Sequence, residues 1–538
     1  METPPPLPFQ TVPALVDWAA EAYGEAPFLV EADGTTISFR DVRQLARRAA
    51  KAFIKAGVAA GDRVAVWAPN SGAWIIATLG LQLAGGVLVP LNTRFRGAEA
   101  AFILKKARVS ALCTVHGFLG ADYLGMLRSA EPEGLPELKT VVFLDDARRE
   151  GGLAWSDFLA TGDSVADAAL QARIETIRPD DACDILFTSG TTGEPKGAMH
   201  SHRQALQMPM TNNAVNQARV GDRMLIINPF FHSFGYRAGW MACLCGGMTA
   251  YPLPVFDVDA VLKLIESARI SALPGPPALF LAILDHPDRA RFDLSSLRVG
   301  TTGSANLDPE LVRRAWHELG FEVFLTSYGL TEATAMGASC RVGDDVETLA
   351  RTVGRPFPGV EMKIIEPSGA PAPTDQAGEI LIRGDNVMLG YFEDPAGTAQ
   401  AIDAEGWLHT GDVGAIDAEG RLRILDRLKD IVIVGGFNAY PAEIENALTA
   451  HPAIAESAVV GVPDARLGEV CAAFLVLRPG ASLTLEDLTV WARERLANFK
   501  VPRRLFIVEA LPRTPLGKVR KHLLRQDAMK EMAAENRV

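Results

Sequence analysis

Short apolar runs alternate with helical patterns up to about Ser339, and this alternation constrains the fold more than any other feature. The apolar runs include RVAVWAP, DILFTSG, RMLIINP, ALPGPP and EVFLTSYG. Patterns with a helical spacing of apolar residues cover 39–56 and 260–269. Strands and helices that alternate in this way form parallel sheets with helices on their faces. Because such sheets bind ligands beyond the carboxyl ends of their strands, the polar segments that follow several runs predict one crevice.

Two long segments, 68–93 and 238–256, contain no charged residue, and the second begins directly after Arg237. Length alone would permit a membrane helix in the first. Gly85-Gly86 and Pro90 divide it, however, into a helix-like half and a strand-like half over 87–91. A buried helix that leads into a buried strand of an α/β sheet has the same pattern. We therefore predict buried elements in both segments and no integral membrane association.

The pattern changes after residue 353, which predicts further domains. Short strands separated by turns (VEMKII, GEILIRG, DVGAI and RLRILDR) predict a small antiparallel β-barrel subdomain over 353–427. The final region has a helix after Pro441, the strands SAVVGV and CAAFLVL, and a helix over 484–496. A chain of 538 residues is also too long for one core. The predicted fold class is α/β: a large N-terminal domain (1–428) of parallel sheets with the barrel, joined to a small α+β C-terminal lid (429–538).

Charge and cysteine content exclude some classes of function. A net charge of −12, without a basic stripe, argues against nucleic acid as a partner. The six cysteines are scattered, with neither a C-x-x-C pair nor zinc spacing, which favours a reduced compartment. The first ten residues, METPPPLPFQ, lack the basic and apolar regions of a signal peptide, so we expect a cytoplasmic protein.

The segment TSGTTGEPKG at 188–197 is the strongest local signal of function. Such a density of glycine disfavours a helix or a strand. It suits a loop whose backbone N–H groups and hydroxyls surround phosphate oxygens, with lysine as counter-charge. The loop of nucleoside triphosphatases requires G-x-x-x-x-G-K followed by Ser or Thr, and this segment lacks it. An exposed turn is the alternative, but it would seldom need so many glycines and hydroxyls together.

The extended segment FTSGTTGEPKGAMHSH closely resembles the phosphate-binding loop of the adenylate-forming superfamily, which includes acyl-CoA synthetases, peptide-synthetase adenylation domains and luciferases. The resemblance covers nearly the whole chain, because the other superfamily motifs follow in order. They are SYGLTEA (327–333), GWLHTGD (406–412), LDRLKDIVIVGGFNAYPAEIE and LPRTPLGKVRK. Singly, each has an ordinary alternative: Glu332 as a helix-start glutamate, Gly411-Asp412 as a turn, VGGFN as a turn. Their order along one chain favours the superfamily.

The resemblance implies ATP, Mg²⁺ and coenzyme A as cofactors and assigns a role to each matching residue. Phosphate contacts are implied for Thr188, Ser189, Gly190, Thr191, Thr192, Gly193, Lys196 and Thr331. Adenine would stack on Tyr328 beside Gly329, Mg²⁺ would bind Glu332, and Asp412 and Arg427 would contact the ribose and the nucleotide. Lys518 would bridge the carboxylate and the α-phosphate. The lid would turn about Lys429 and then present Gly435, Gly436 and Phe437 to the thiol of coenzyme A.

The segment NPFFHSFGYRAGW at 228–240 bears on the acid. Amino-acid-activating relatives carry an aspartate where this chain has His232, so an α-amino acid is disfavoured. The implied acyl pocket contains His232, Phe234, Gly235, Arg237 and Gly239. The small residues either leave room for a bulky acyl group or allow close helix packing, and Arg237 either reaches solvent or meets a polar group on the acid. Together, INPFFHSFGYRAG, ALPGPP and GFNAYPAEIE look most like bacterial fatty-acyl-type CoA synthetases, particularly those of sterol breakdown, which activate a ring-derived propionate bearing keto groups.

The function that follows is an ATP-dependent acyl-CoA synthetase, an acid–thiol ligase for a fatty or bulky alicyclic acid. Two alternatives stay open: a ligase that loads a carrier protein, and a non-catalytic protein that retains the fold. Because no carrier domain is recognisable after the lid in the 538 residues, we expect free coenzyme A as the acceptor. The run from Pro512 to Lys518 spells P-x-x-x-x-G-K and resembles sites that bacterial lysine acyltransferases modify. The sequence leaves the oligomeric state open, a homodimer included.

Overall fold

A computed structural model describes residues 2–188, 194–303, 309–434, 437–464, 466–496, 498–514 and 518–535. The chain divides into two compact units. The first comprises Met1–Met362 and Ile382–Leu408, and the second comprises Lys363–Leu381 and His409–Val538. The boundary that the sequence places between 428 and 429 stays a prediction.

Within the described part of the first unit, two large sheets contain mainly parallel strands. The nine-stranded sheet has the spatial order Arg355–Pro356, Ala338–Ser339, Val323–Tyr328, Val299–Gly303, Ala272–Gly275, Arg223–Ile226, Thr249–Pro252, Pro27–Val30 and Thr36–Ser38. The eight-stranded sheet has the order Gly390–Tyr391, Lys196–Ser201, Ala182–Thr188, Val87–Pro90, Arg63–Trp67, Ala111–Thr114, Thr140–Phe143 and Leu153–Ala154. Antiparallel pairs occur at the sheet edges. The predicted parallel α/β class is confirmed.

Helices separate most of these strands, as the alternation predicts. They are Val12–Tyr23, Phe39–Lys55, Gly72–Leu83, Gly97–Lys106, Tyr123–Ala130, Trp155–Thr161, Asp167–Ile174, His202–Val215, Ala242–Gly246, Val258–Ser267, Pro277–Leu284, Pro309–Leu319, Val346–Arg351 and Pro395–Ala401. Polar caps set their starts: Ser38 and Asp41 form a reciprocal capping box, and Asp257 accepts from the backbone N–H of Ala260. The helices predicted over 39–56 and 260–269 are confirmed, and the second one begins two residues earlier because of this cap.

The uncharged segment 68–93 forms the predicted buried helix, Gly72–Leu83, and the buried strand, Val87–Pro90. Gly80 allows this helix to approach Phe39–Lys55 closely, since a Cβ there would lie 2.4 Å from the Cβ of Ala49. Among the described residues, no helix is long and apolar enough to cross a membrane.

The remaining strands form two smaller sheets. Val360–Ile365, Gly378–Gly384, Leu408–Ile416 and Leu422–Arg427 form a four-stranded sheet, and its last two strands are antiparallel. The C-terminal sheet has the order Phe437–Ala439, Val432–Val434, Gly468–Leu477 and Ile454–Asp464, and Arg504–Ile507 pairs with Gly468–Leu477. Its helices are Pro441–Thr449, Leu485–Arg493 and Lys521–Glu535. The α+β character of the C-terminal region is confirmed.

All six cysteines lie in described segments, and all are buried and unpaired: Cys113, Cys183, Cys243, Cys245, Cys340 and Cys471. Burial raises the pKa of every one of these thiols; those of Cys113 and Cys471 rise to about 12. Each cysteine therefore behaves as a small apolar core residue.

Candidate active site

The base of the glycine-rich segment is an antiparallel hairpin in the first unit. Thr188 ends the strand Ala182–Thr188 and pairs with Lys196, which begins the strand Lys196–Ser201. Pairing places Thr188 and Lys196 at the two ends of the segment that connects the two strands. The predicted phosphate-binding residues Ser189, Gly190, Thr191, Thr192 and Gly193 lie outside the described residues.

Glu332 joins the ends of the two large sheets. It lies in the 3₁₀ turn Thr331–Ala333, which follows the strand Val323–Tyr328. Its Oε1 accepts hydrogen bonds from Thr188 Oγ1 at 3.2 Å and from the Tyr391 hydroxyl at 3.1 Å. The sequence-predicted residues Thr188 and Glu332 are thus in direct contact.

The remaining oxygen of Glu332 suits a cation. Oε2 accepts no hydrogen bond from any described residue, and a carboxylate oxygen is a ligand that Mg²⁺ prefers. Burial and the charge of Glu332 raise the pKa of Tyr391, so this phenol stays protonated and donates. The donor set therefore fits a magnesium ion at Glu332.

Unusual backbone conformations shape the turn that carries Glu332. Thr334 and Ala335 have φ values of 56° and 62°, in the left-handed region that residues with a Cβ seldom adopt. Gly329 is required opposite them, because a Cβ there would lie 2.1 Å from the carbonyl oxygen of Ala335. Tyr328, the predicted adenine-stacking residue, ends the strand. Its backbone carbonyl oxygen accepts a hydrogen bond from the backbone N–H of Gly337 at 3.0 Å. Strain of this kind concentrates at functional sites.

A fully buried charged cluster lies behind the hairpin. Arg237 Nη2 donates to both oxygens of Asp184 at 2.7 Å, and His200 Nδ1 lies 2.8 Å from Asp184 Oδ1. His200 Nε2 lies 2.8 Å from the carbonyl oxygen of Thr331, next to Glu332. Burial alone would raise the pKa of Asp184, but the charge of Arg237 and the contact with His200 outweigh it and lower the pKa to about 2. The cluster links the hairpin to the turn that carries Glu332.

Arg237 corrects one sequence-based alternative. Its side chain is completely buried, so the expectation that it reaches solvent is wrong. The cause is its partner: the carboxylate of Asp184 lies inside the eight-stranded sheet and holds the guanidinium there. The contact between Arg237 and a polar group of the acid stays a prediction.

The segment predicted to contact the acid changes conformation over one short stretch. His232 caps the turn Ser233–Gly235, since its Nδ1 accepts the backbone N–H of Phe234 at 3.2 Å. A π-helical stretch, Tyr236–Met241, follows, and Gly239 departs from helical angles within it. Such stretches are frequent at functional sites.

Close packing is shown for one small residue of this segment, whereas room for an acyl group stays a prediction. A Cβ at Gly235 would lie 2.3 Å from the carbonyl oxygen of Asn228, so this glycine allows close packing. Ala238 instead lines a cavity of about 30 Å³ beside Phe234 and Met248. The cavity lies between the helix His202–Val215 and the nine-stranded sheet, and Asn212 of this helix also lines it.

In the second unit, two predicted nucleotide-binding residues contact each other. Asp412 and Arg427 pair across antiparallel strands, and Arg427 Nε lies 3.1 Å from Asp412 Oδ1. Asp412 is buried, whereas about half of the Arg427 side chain is exposed. Lys518 is exposed, and its backbone N–H donates to Thr514 Oγ1 at 3.1 Å.

Four further predicted residues have little or no described side-chain geometry. Gly435 and Gly436 lie outside the described residues, and Phe437 is described only by its backbone, which pairs with Val434. Lys429 lies in the 3₁₀ turn Leu428–Asp430, between the strands Leu422–Arg427 and Val432–Val434.

Sequence reasoning missed Tyr391 and Asp394. Besides its bond to Glu332, Tyr391 places its ring 5.0 Å from Lys196 Nζ, and Asp394 Oδ2 lies 3.7 Å from the same ammonium. The sequence feature nearest to them is the run GYFEDPAGT, in which Asp394 caps the helix Pro395–Ala401. The backbone N–H of Tyr391 donates to Thr398 Oγ1 of this helix, which holds the tyrosine next to the cap. That run predicts a helix start, but nothing in it indicates contact with residues almost two hundred positions earlier.

Comparison with known proteins agrees with this geometry. AMP-binding enzymes match residues 16–392, and the C-terminal domain of AMP-binding enzymes matches residues 443–518. Two relatives carry the name 3-[(3aS,4S,7aS)-7a-methyl-1,5-dioxo-octahydro-1H-inden-4-yl]propanoyl:CoA ligase. The protein from Rhodococcus jostii is 46% identical over 96% of this chain and 98% of its own length. The protein from Mycobacterium tuberculosis is 46% identical over 96% of this chain and 99% of its own length.

A solved structure leads to the same conclusion. ATP-bound MatB from Rhodopseudomonas palustris superposes with a TM-score of 0.85 at 29% identity, covering 96% of this chain and 99% of that one. The fold, the contact between Thr188 and Glu332, and the matches over nearly the full length are mutually consistent. The chain belongs to the AMP-binding enzyme family and is an ATP-dependent acyl-CoA synthetase, an acid–thiol ligase that uses ATP, Mg²⁺ and coenzyme A.

Proposed function

We propose that this enzyme converts a propanoate attached to a keto-bearing fused-ring system into its coenzyme A thioester. The observation that carries this proposal is the 46% identity, over nearly the full length, to two ligases named for a dioxo-octahydroindenyl propanoyl product. His232, in place of an aspartate, agrees with an acid that bears no ammonium group.

In the first half-reaction, a carboxylate oxygen attacks the α-phosphorus of ATP, and the bond to pyrophosphate breaks to give acyl-AMP. Both reactants are anions, so positively charged groups and hydrogen-bond donors must be in place beforehand. Thr188 and Lys196, at the base of the loop, would hold the β- and γ-phosphates. Glu332 would hold Mg²⁺, which neutralises phosphate charge when bound. Lys518 would place its ammonium between the carboxylate and the α-phosphate.

The ion pair between Asp412 and Arg427 supports the proposed nucleotide-binding role of both residues. Arg427 neutralises Asp412 at 3.1 Å, so the buried carboxylate is not left as an isolated charge. The half-exposed guanidinium would turn to a phosphate, while Asp412 would accept hydrogen bonds from the ribose hydroxyls. Tyr328 would stack on the adenine.

In the second half-reaction, the sulfur of coenzyme A attacks the acyl carbonyl, its proton is lost and AMP leaves. We propose that residues 429–538 act as a lid that turns about Lys429, removes Lys518, and presents Gly435, Gly436 and Phe437 to the thiol. A few hinge residues suffice for a movement of this kind. The two half-reactions would then require different lid residues.

We also propose a cytoplasmic enzyme that is controlled by acylation of Lys518. The exposed side chain is accessible to a modifying enzyme, and an amide would remove the charge that adenylation requires. Fully acylated protein should form no acyl-AMP but should still convert added acyl-AMP to thioester. Retained acyl-AMP formation would refute the regulatory proposal.

Purified enzyme with Mg-ATP and a panel of acids tests the main proposal, with pyrophosphate release measured in the presence and absence of coenzyme A. We expect thioester formation that depends on coenzyme A, with the dioxo-octahydroindenyl propanoate preferred over straight-chain acids. Far better turnover of straight-chain acids would refute the proposed substrate class. Acyl-AMP that accumulates despite coenzyme A would indicate a carrier protein as acceptor.

A further inference from the structure

The cavity beside Ala238 is lined by an amide network whose hydrogen-bond polarity can be deduced. Asn216 Nδ2 donates to the backbone carbonyl oxygen of Asn212 at 2.8 Å. A carbonyl oxygen can only accept, so this contact identifies the amino end of the Asn216 amide. The other end, Oδ1, accepts the hydroxyl of Thr301 at 2.7 Å.

The polarity of Asn216 determines that of Asn212. Asn216 Nδ2 also lies 3.0 Å from the Asn212 side chain, so the atom facing it must be Oδ1. The remaining atom, Asn212 Nδ2, is therefore an amino nitrogen that can donate two hydrogen bonds. It donates to no residue within the described segments, although Asn212 is only 9% exposed and lines the cavity.

An unsatisfied donor in this position requires an acceptor. The cavity lining combines apolar residues (Phe234, Ala238, Met248 and Pro274) with polar ones (Asn213, Asp222 and Thr301). An amide donor left without a partner in such a cavity costs about 1–3 kcal/mol. The cavity volume of about 30 Å³ accommodates one water molecule or one carbonyl group, but not a ring. A ring system could therefore bring only an oxygen-bearing edge to the donor.

We propose that Asn212 determines specificity by donating a hydrogen bond to a ring ketone of the acid. The inference rests on the proposed function, because it takes the fused-ring propanoate as the substrate. A ketone offers the acceptor that Asn212 lacks, whereas an alkyl chain would displace water and leave the donor unpaired. Sites that hydrogen-bond one substrate group discriminate strongly against analogues without it.

The experiment compares wild-type enzyme with Asn212→Leu, which has a similar volume and no donor. Two acids are used: the dioxo-octahydroindenyl propanoate and the same bicyclic propanoate without its ketones. We expect kcat/KM for the dione to fall about tenfold in the variant, with that for the ketone-free acid unchanged or raised. Met248→Leu alters the same cavity without removing a donor, so it should change both acids by the same factor.

The outcomes separate the two proposals. If wild-type enzyme turns over the dione and Asn212→Leu lowers kcat/KM equally for both acids, the role of Asn212 is refuted and the proposed function stands. If wild-type enzyme rejects the dione but accepts other acids, the proposed function fails and the inference fails with it. A general folding defect would also lower both acids equally and would count against Asn212.

Discussion

Asp184→Asn should strongly destabilise the first unit, because it leaves Arg237 as an uncompensated buried charge. Asp184 and Arg237 are both completely buried and share two contacts of 2.7 Å. The pKa of Asp184 falls from 3.8 to about 2, which corresponds to about 2 kcal/mol of stabilisation of the carboxylate at neutral pH. Breaking a buried pair by removing one partner costs about 3–5 kcal/mol, and we expect a loss in this range.

The assay is a double-mutant cycle in urea, followed by tryptophan fluorescence, with Trp240 buried three residues from Arg237. Asp184→Asn combined with Arg237→Met removes both charges, so it should recover at least about 2 kcal/mol relative to the sum of the single changes. The matched control is Asp163→Asn, which breaks an exposed pair with Arg48 and should cost less than about 1 kcal/mol. Strictly additive losses in the cycle, or a cost for Asp184→Asn as small as that of the control, would refute the reasoning.

Three other predictions concern protonation, the site and the lid. Burial lowers the pKa of His202 from 6.5 to about 4. Between these pH values the unfolded chain binds a proton that the native protein excludes, so the free energy of unfolding should fall by about 2 kcal/mol from pH 7 to pH 5. Urea titrations at the two pH values measure this loss, and His202→Phe should lack it. Tyr391→Phe removes a hydrogen-bond donor to Glu332, so it should lower kcat/KM about tenfold and weaken the dependence of activity on Mg²⁺. The control is Tyr23→Phe, which removes a hydrogen bond to the carbonyl oxygen of Cys245 and should leave both quantities unchanged. Lys518→Ala should reduce acid-dependent pyrophosphate release by at least about a hundredfold, yet thioester formation from added acyl-AMP should persist; equal loss of both steps would contradict the separate roles.

The predictable part of the structure consists of features that are local in sequence. Helix and strand positions follow from apolar periodicity and caps such as Ser38 and Asp257, and Thr188 and Lys196 are eight residues apart in one hairpin. A common location for Thr188 and Glu332 could be expected, because Thr188 ends one strand and Glu332 follows another, and α/β sheets bind ligands beyond the carboxyl ends of their strands.

The rest depends on contacts that no local pattern encodes. Arg237 pairs with Asp184 across 53 positions, and nothing near either residue distinguishes this ion pair from an exposed charge. Tyr391 belongs to a strand of only two residues, so it carries no periodic signal. The free donor of Asn212 follows from a chain of hydrogen bonds that ends on a backbone carbonyl, which requires coordinates.

The burial of all six cysteines makes the native protein almost inert to thiol-reactive dyes, since such reagents attack the exposed thiolate. A cysteine introduced at a solvent-exposed site would then be labelled selectively without removing any native residue. Val220 and Val490 are 71% and 59% exposed, and they lie in the first and the second unit respectively. A donor and an acceptor fluorophore at these two positions would report the distance between the units during turnover, and so test the proposed domain alternation.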